Sequence, residues 1–319
     1  MKTQTTTTNT NIDSPNLKCF KTPFTDFHTL VWGTKGTKVL LLHGFPETPY
    51  IFSEVAQVLV AQGYHVFAPF MPGYGATLPI HSHTTITHLD DLAHSIAALS
   101  DAISEGHCLI KKGKNSREKI ILVGHDWGAV AAYVAASYYP DGFSKLVTMA
   151  VPPLPVFLKG LLRHPSQLLR SNYMFFFQLR AGVPEKLIAR NNYEALKRLC
   201  LKWSGSSQPS LSFFSESATP FKDINNFTHP LGYYRGLMPL LSGSIQKWKK
   251  SMAIAFTKIS IPCHIMVGEL DNCISPPLYM GYEQYFTRQV SFSMIKNAGH
   301  FLPIDAPNEV AAVILMKSV

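Results

Sequence analysis

One short segment restricts the possible fold more than any other part of the sequence. Residues 119–123 form an apolar, strand-like run, which leads directly into Gly-His-Asp-Trp-Gly-Ala at 124–129 and then into an alanine-rich helical pattern. Glycines on both sides of a central residue let a strand turn sharply into a helix and expose that residue, here Asp126. The segment therefore predicts a strand–turn–helix unit that presents Asp126 as a nucleophile. The competing interpretation is that Asp126 only caps the helix, as aspartate often does.

Short apolar segments alternate with amphipathic ones around this unit. Strands are predicted at residues 29–32, 38–42, 65–68, 119–123 and 145–149, and helices at 51–62, 90–103 and 129–139. Nearly continuous apolar strands separated by helices predict a fold of the α/β class, in which a mostly parallel sheet is flanked by helices. Turn residues at 33–36 predict that the first two of these strands form an antiparallel pair.

A helical block interrupts this alternation after the proline-rich residues 151–155. Helical periodicity without a convincing strand continues to about residue 250, in segments 157–162, 168–179, 184–203 and 213–221. Strands return at 263–267 and 291–295, and a last helix is predicted at 307–316. We therefore predict a flexible tail at 1–18, an α/β core formed by 19–151 and 251–319, and a helical lid at 152–250. Such a lid suits the sheet edge where α/β proteins bind ligands.

Composition excludes several classes of protein. Apolar residues make up 46% of the chain and charged residues 15%, which excludes a disordered or fibrous protein. The net charge of +9 is carried by scattered residues, a pattern that predicts a solvated surface and no nucleic-acid partner. Five dispersed cysteines without a CxxC pair predict neither a disulfide framework nor a metal site. No signal peptide or membrane-spanning run is visible, so a soluble cytoplasmic protein is expected.

The carboxylate of Asp126 restricts the chemistry of the substrate. A serine that attacked a saturated carbon would leave an ether, which an enzyme cannot readily hydrolyse. A carboxylate that attacks the same carbon leaves an ester, and water can cleave the ester at its carbonyl carbon. An aspartate at this turn therefore predicts an epoxide or an alkyl halide as the electrophile.

A base and an acid that orients it are expected beside this nucleophile. His300 follows the strand at 291–295, and Asp271 follows the strand at 263–267, so both lie at carboxyl ends of strands, as Asp126 does. The chain order nucleophile, acid, histidine is typical of hydrolases whose nucleophile lies at this kind of turn. Glu269 is the alternative acid.

An ester hydrolysed in this way also needs two backbone N–H groups that bind the oxyanion. Trp127, directly after the nucleophile, is expected to supply one of them. Phe45, in the loop after the strand at 38–42, is expected to supply the other, with Pro46 in the cis form as a way to shape that loop.

With these residues assembled, the sequence resembles the epoxide hydrolases of the α/β-hydrolase fold superfamily. The resemblance spans about residues 20 to 317 and rests on the motifs at 43–47 (HGFPE), 73–75 (GYG), 124–129 (GHDWGA), 268–271 (GELD) and 299–301 (GHF). It implies an α/β-hydrolase fold with an inserted helical lid. It also implies that epoxides are opened to vicinal diols through a covalent aspartyl ester, which water activated by histidine then hydrolyses without a cofactor.

The resemblance further implies two tyrosines in the lid that donate hydrogen bonds to the epoxide oxygen. Residues 172–178 resemble the segment that carries the first, at Tyr173, and residues 231–235 resemble the segment that carries the second, at Tyr234. Tyr233 is the competitor for the second position. Four residues are expected to border a small apolar epoxide: His43, Pro46, Trp127 and Phe177.

Two departures from the family pattern and two other functions stay open. Residues 70–75 lack the Asp and Arg that commonly precede the glycines, and a basic insertion lies at 106–117. A haloalkane or haloacid dehalogenase would use the same three catalytic residues, with Trp127 and Trp203 as halide ligands.

A non-catalytic binding protein on a hydrolase scaffold is the third interpretation. It predicts that one of the catalytic motifs has lost its functional residue, but all of these motifs are intact in the sequence.

Overall fold

The computed structural model describes residues 14–81, 84–105, 118–205 and 227–317. The basic insertion at 106–117, the helix predicted at 213–221 and residues 1–13 of the predicted tail lie outside the described residues.

Eight strands form one sheet with the spatial order β1-β2-β4-β3-β5-β6-β7-β8. Their bounds are β1 Asn16–Lys21, β2 Asp26–Trp32, β3 Lys38–Leu42, β4 His65–Pro69, β5 Ile120–His125, β6 Phe143–Met149, β7 Cys263–Gly268 and β8 Val290–Ile295. The pairs β1–β2 and β2–β4 are antiparallel, and every later neighbouring pair is parallel. Strands β3, β5 and β6 are almost wholly buried, as in sheets covered on both faces. The predicted α/β fold with a mostly parallel sheet is confirmed.

The helices divide between the core and the segment that separates β6 from β7. The core helices are α1 Ser53–Ala61, α2 Leu89–Glu105, α3 Trp127–Tyr138, α11 Leu302–Asp305 and α12 Pro307–Leu315. Between β6 and β7 lie α4 Leu154–Arg163, α5 Gln167–Arg170, α6 Asn172–Phe176, α7 Val183–Ala189, α8 Glu194–Trp203, α9 Thr228–Gly236 and α10 Ile245–Ala255. Helix α10 extends beyond the predicted lid boundary at residue 250 because it packs against α2 and α3 of the core.

The predicted antiparallel pair around residues 33–36 is wrong. Strand β2 is antiparallel to β1 and to β4, while β3 lies on the far side of β4 and pairs with β4 and β5 in parallel. The turn residues do reverse the direction of the chain, but β3 does not lie beside β2, because β4 occupies the position between them. A turn sequence predicts that the chain reverses; it does not predict which strand will pair with the strand before the turn.

The first strand begins three residues before the core boundary predicted at residue 19. Strand β1 is an edge strand whose side chains are mostly exposed, so it lacks the alternation by which a strand is recognised in sequence. Within the described residues, no helix combines the length and the apolar character needed to cross a bilayer.

Candidate active site

Asp126 lies in a strained turn between β5 and α3. Its backbone has φ 51° and ψ −120°, outside the regions that non-glycine residues normally occupy, and its side chain makes no capping hydrogen bond to α3. A Cβ atom on Gly128 would lie 1.9 Å from the carbonyl oxygen of Leu42, so only glycine lets α3 start this close to β3. Asp126 therefore occupies the N-cap position of α3, but its carboxylate does not cap the helix and instead contacts Phe45 and His300.

The predicted oxyanion donors flank this carboxylate. The backbone N–H of Phe45, in the loop after β3, donates to Asp126 Oδ1 at 2.8 Å, and the Phe45–Pro46 peptide bond is cis. Trp127 is the first residue of α3, and the first N–H groups of a helix have no acceptor within the helix. The Phe45 N–H thus contacts the carboxylate, while the Trp127 N–H at the start of α3 stays a predicted donor.

His300 lies between the two aspartates predicted to work with it. Its Nδ1–H donates to Asp271 Oδ2 at 2.9 Å, and its Nε2 lies 3.4 Å from Asp126 Oδ2. All three side chains are buried. Asp271 is held in turn by the backbone N–H groups of Cys273 and Ile274, which donate to its Oδ1 at 2.7 and 2.9 Å.

Glu269, the alternative acid, has a different partner. It is exposed, and its Oε2 accepts a hydrogen bond from the backbone N–H of Asn297 at 3.2 Å. Asp271 is consequently the carboxylate that contacts His300.

Burial and charge act in opposite directions on the nucleophile and the base. Burial by itself would raise the pKa of Asp126, but His300 and the Phe45 N–H outweigh it and lower this pKa below the ordinary range. Burial would lower the pKa of His300, yet the neighbouring Cys273, Asp271 and Asp126 raise it well above its usual value. Both shifts favour the charged forms of the pair, an ionised Asp126 carboxylate and a protonated His300 imidazole.

A buried ion pair beneath the site was not recognised from the sequence. His125 Nδ1 lies 2.8 Å from Glu47 Oε1, and its Nε2–H donates to the backbone carbonyl of His300 at 2.7 Å. Glu47 Oε2 also accepts from the backbone N–H of Gly44 at 3.0 Å. Both residues belong to motifs that had been noted, but sequence proximity gives no indication that they meet. The pair connects the oxyanion loop, the nucleophile turn and the loop that carries His300.

His43 was expected to border the substrate but has a different environment. Its Nδ1–H donates to the carbonyl of Gly44 at 2.9 Å, and its Nε2 accepts from the backbone N–H of Met71 at 3.0 Å. Burial lowers its pKa to about 4, so the ring stays neutral. His43 thus holds the oxyanion loop against the loop that follows β4.

Two tyrosines from the lid reach the nucleophile. Tyr173 on α6 and Tyr234 on α9 line one cavity together with Asp126, and their ring centroids are 6.0 Å apart. The hydroxyl of Tyr173 lies 3.4 Å from Cys273 Sγ, and the Tyr234 ring packs edge-on against the Trp127 ring, with centroids 5.0 Å apart. Burial raises the pKa of both phenols well above the usual value, which keeps them protonated.

Tyr233, the competitor for the second position, points elsewhere. Its hydroxyl donates to the carbonyl of Pro72 at 2.8 Å, in the loop that departs from the family pattern. Of the two adjacent tyrosines, Tyr234 is therefore the one that lines the cavity with Asp126.

The cavity above Asp126 is predominantly apolar. Its volume is about 60 Å³. Its lining is Asp126, Trp127, Val130, Val151, Pro152, Leu154, Phe157, Tyr173, Met174, Tyr234, Leu237 and Ile274. Neither Pro46 nor Phe177, two of the expected substrate neighbours, is in this wall. Phe177 packs against Phe45, Tyr173 and Tyr234, with ring centroids 5.0 to 5.5 Å away.

Among the described residues, no cluster of three or more His, Cys, Asp and Glu side chains could hold a metal ion.

Comparisons with known proteins show the family and the fold. The sequence profile described as "Alpha/beta hydrolase family" matches residues 39–313. The chain is 28% identical to human epoxide hydrolase 4 over 295 residues, which cover 90% of this chain and 74% of that protein. It is also 28% identical over 287 residues to the AB hydrolase superfamily protein YfhM of Bacillus subtilis, covering 88% and 89% of the two chains. The crystal structure of epoxide hydrolase A from Mycobacterium thermoresistibile superposes with a TM-score of 0.75 at 22% identity, covering 94% of this chain and 97% of that one.

Proposed function

This chain belongs to the alpha/beta hydrolase family, and from that premise we propose that it is an epoxide hydrolase. In the proposed reaction, Asp126 attacks a ring carbon of the epoxide and forms an ester, and the ring C–O bond breaks. The oxygen that leaves the carbon takes a proton from Tyr173 or Tyr234. Water then hydrolyses the ester to release a vicinal diol.

The two carboxylate oxygens of Asp126 would take different roles. Oδ1 accepts the Phe45 N–H, whereas Oδ2 lies toward His300. We assign the attack on carbon to Oδ2, which leaves Oδ1 as the carbonyl oxygen of the ester. The negative charge that develops on Oδ1 during hydrolysis would then meet the N–H groups of Phe45 and Trp127.

His300 would act as the base in the second step. Once Asp126 is esterified it carries no charge, so His300 loses one of the neighbours that hold its proton. Neutral His300 can take a proton from water, and the resulting hydroxide attacks the ester carbonyl carbon. Asp271 would keep Nδ1 protonated and stabilise the imidazolium that forms. The proton taken from water then passes to the diol oxygen that leaves, and hydrolysis leaves Asp126 as a carboxylic acid. The acid gives its proton to His300, while the proton that His300 released after esterification restores the tyrosinate, so the enzyme returns to its starting state.

One observation carries the choice of epoxide: two protonated phenols line the same small cavity as the carboxylate. An epoxide oxygen remains in the product and becomes an alkoxide, so it needs a proton donor, whereas a halide leaves as an anion and needs none. The apolar wall supports a substrate with an apolar substituent, and no cofactor is required. Free thiols at Cys19, Cys200, Cys263 and Cys273 support a reducing compartment, and we propose the cytoplasm.

Dehalogenation is the second candidate, because of two tryptophans. The Trp203 ring lies 5.4 Å from the His300 ring, and its indole N–H is buried without a hydrogen-bond partner among the described residues. The Trp127 ring, however, packs edge-on against the Tyr234 ring, with centroids 5.0 Å apart, so a phenol adjoins it in the cavity wall. Two indole N–H groups that both pointed freely at the nucleophile would favour a halide.

Styrene oxide and a bromoalkane assayed side by side separate the candidates. We expect phenylethanediol from the oxide and no bromide from the bromoalkane. Bromide release without diol would establish the dehalogenase, and the absence of both products over a wide set of epoxides and halides would favour a binding protein.

A further inference from the structure

The net positive charge is not spread evenly over the chain, as the scattered basic residues had suggested, but lies in the segment between β6 and β7. Residues 152–250 contain fourteen Lys and Arg and four Asp and Glu, a net of +10, whereas the remaining 220 residues contain fifteen and sixteen, a net of −1. The core is thus close to neutral and the lid is strongly basic. Such an asymmetry directs the lid toward an anionic partner.

The outer surface of helices α4 to α7 combines this charge with exposed apolar side chains. Between residues 154 and 190 the large exposed hydrophobic residues are Leu158, Leu162, Leu168, Leu169, Phe175, Leu179, Val183 and Leu187. Basic residues are interspersed among them, and Lys159, Arg163, Lys186 and Arg190 are exposed. The one acidic residue in this stretch, Glu185, is buried and paired with Arg235. We call this surface, residues 154–190, the basic–apolar lid surface.

The same helices form the wall of the catalytic cavity. On α4, Leu154 and Phe157 line the cavity, while Leu158 and Leu162 share the outer side one turn apart, and Leu162 is 86% exposed. On α6, Tyr173 and Met174 line the cavity and the adjacent Phe175 is 54% exposed. In the described part of the lid, only one layer of helices therefore separates Asp126 from the outer surface. An apolar molecule held at that surface would be close to the catalytic cavity.

We propose that the basic–apolar lid surface docks on an anionic phospholipid membrane. Leucine and phenylalanine side chains would insert at the boundary between headgroups and acyl chains, and Lys and Arg would contact the headgroups. A nucleic acid would pair with the cations but would leave the leucines exposed to water, and a wholly apolar protein partner would leave the cations unpaired. An anionic bilayer can contact both groups, because it offers anionic headgroups to the cations and acyl chains to the leucines.

Vesicle binding tests this inference without any reaction, so it is independent of the proposed epoxide chemistry. The full chain is sedimented with vesicles of phosphatidylcholine alone and of phosphatidylcholine mixed with phosphatidylserine. We expect strong binding only to the mixed vesicles. The double variant Leu158→Ser/Leu162→Ser should bind about tenfold more weakly, since the transfer of two leucines from water is lost. The variant Lys186→Gln/Arg190→Gln should also lose at least about tenfold, at about fivefold per charge.

Matched controls come from exposed residues of the core. Leu17→Ser/Leu78→Ser and Lys35→Gln/Lys296→Gln remove side chains of the same kinds from exposed core positions and should leave binding unchanged. Circular dichroism and thermal unfolding verify that each variant is folded. The proposal is overturned if the wild type ignores the mixed vesicles, or if core and lid variants lose binding equally. It is also overturned if the leucine pair in the lid affects only self-association.

Discussion

At the scale of single residues, the coupling of two charges organises the site. Asp126 and His300 each stabilise the charged form of the other, and both are removed from water. Forming the ester removes one member of this pair. The step that consumes the negative charge of Asp126 thereby makes His300 a better base for the step that follows.

Replacing the nucleophile and the base should have different consequences. Asp126→Ala should abolish diol formation, because among the described residues no other carboxylate lines the cavity with the two tyrosines. His300→Ala should still form the ester but hydrolyse it slowly. Incubation of this variant with styrene oxide should give intact protein heavier by the mass of the epoxide, and digestion should locate the addition at Asp126. An unmodified protein under every condition tried would argue against covalent catalysis.

The three neighbouring tyrosines provide their own control. Tyr234→Phe and Tyr173→Phe should each lower kcat for styrene oxide by about 100-fold, the lower limit for loss of a general acid. Tyr233→Phe should change kcat little, because its hydroxyl donates to the Pro72 carbonyl. Steady-state measurement of kcat for the three variants tests this expectation. An equal effect of all three would mean that the phenols act through packing only.

The pKa directions predict how the two chemical steps respond to acid. Ester formation needs ionised Asp126, and since its pKa is lowered, this step should persist well below neutral pH. Hydrolysis needs neutral His300, so its rate should decline as the pH drops through the pKa of His300 in the esterified enzyme. Rapid-quench mass spectrometry should therefore detect more ester at acidic than at alkaline pH. An ester fraction that instead rises with pH would contradict these assignments.

At the scale of elements, three loops from distant parts of the chain are joined under the site. The ion pair of Glu47 and His125 has no access to water, and its hydrogen bonds reach Gly44 and the carbonyl of His300. Because a charge left alone in such a place is very unfavourable, the pair holds the loops in one arrangement.

Removing one member of this pair should destabilise the fold. Glu47→Gln leaves His125 without its counter-charge, and we expect the free energy of unfolding in urea to fall by about 3 kcal/mol. Glu194→Gln is the control, since its pair with Arg198 is exposed on one helix and should contribute at most about 0.5 kcal/mol. Equal effects of both substitutions would mean that the buried pair contributes no more than a surface pair.

At the scale of the whole molecule, activity depends on how the lid is seated on the core. A Cβ atom on Gly232 of α9 would lie 1.8 Å from the carbonyl oxygen of Thr85, and the Gly232 carbonyl accepts a hydrogen bond from Thr87. Helix α9 therefore touches the core backbone directly at this point. Because the same helix carries Tyr234, the contact sets the height of that phenol above Asp126.

Gly232→Ala tests this seating. The added methyl group should push α9 outward and lower kcat by about tenfold or more, since a displacement near 1 Å can cost about 100-fold. In a Tyr234→Phe background the same substitution should cost much less, because the misplaced group is already absent. Kinetics of the two single variants and the double variant provide the comparison. Additive losses would show that Gly232 acts by another route.

Much of this arrangement was predictable from sequence, for identifiable reasons. Buried parallel strands must be apolar along their length, so all strands except β1 were recognised. The turn at Asp126 was recognised because a strand that turns this sharply into a helix requires glycines at fixed positions on both sides of the central residue. Where the sequence carried no such constraint, prediction failed. Strand β1 is exposed, and the reversal at 33–36 does not specify which strand lies beside β2.

The amino-acid sequence by itself determined the α/β fold, the aspartate at the turn and the order of the residues around it, because these follow from local backbone geometry and hydrophobic periodicity. It is the three-dimensional packing that puts Tyr234 and not Tyr233 in the cavity wall, pairs Glu47 with His125, and surrounds Phe177 with aromatic rings. Such contacts join residues far apart in the chain, and their distances depend on how the lid and the core pack together. That information is not contained in any short segment of the sequence.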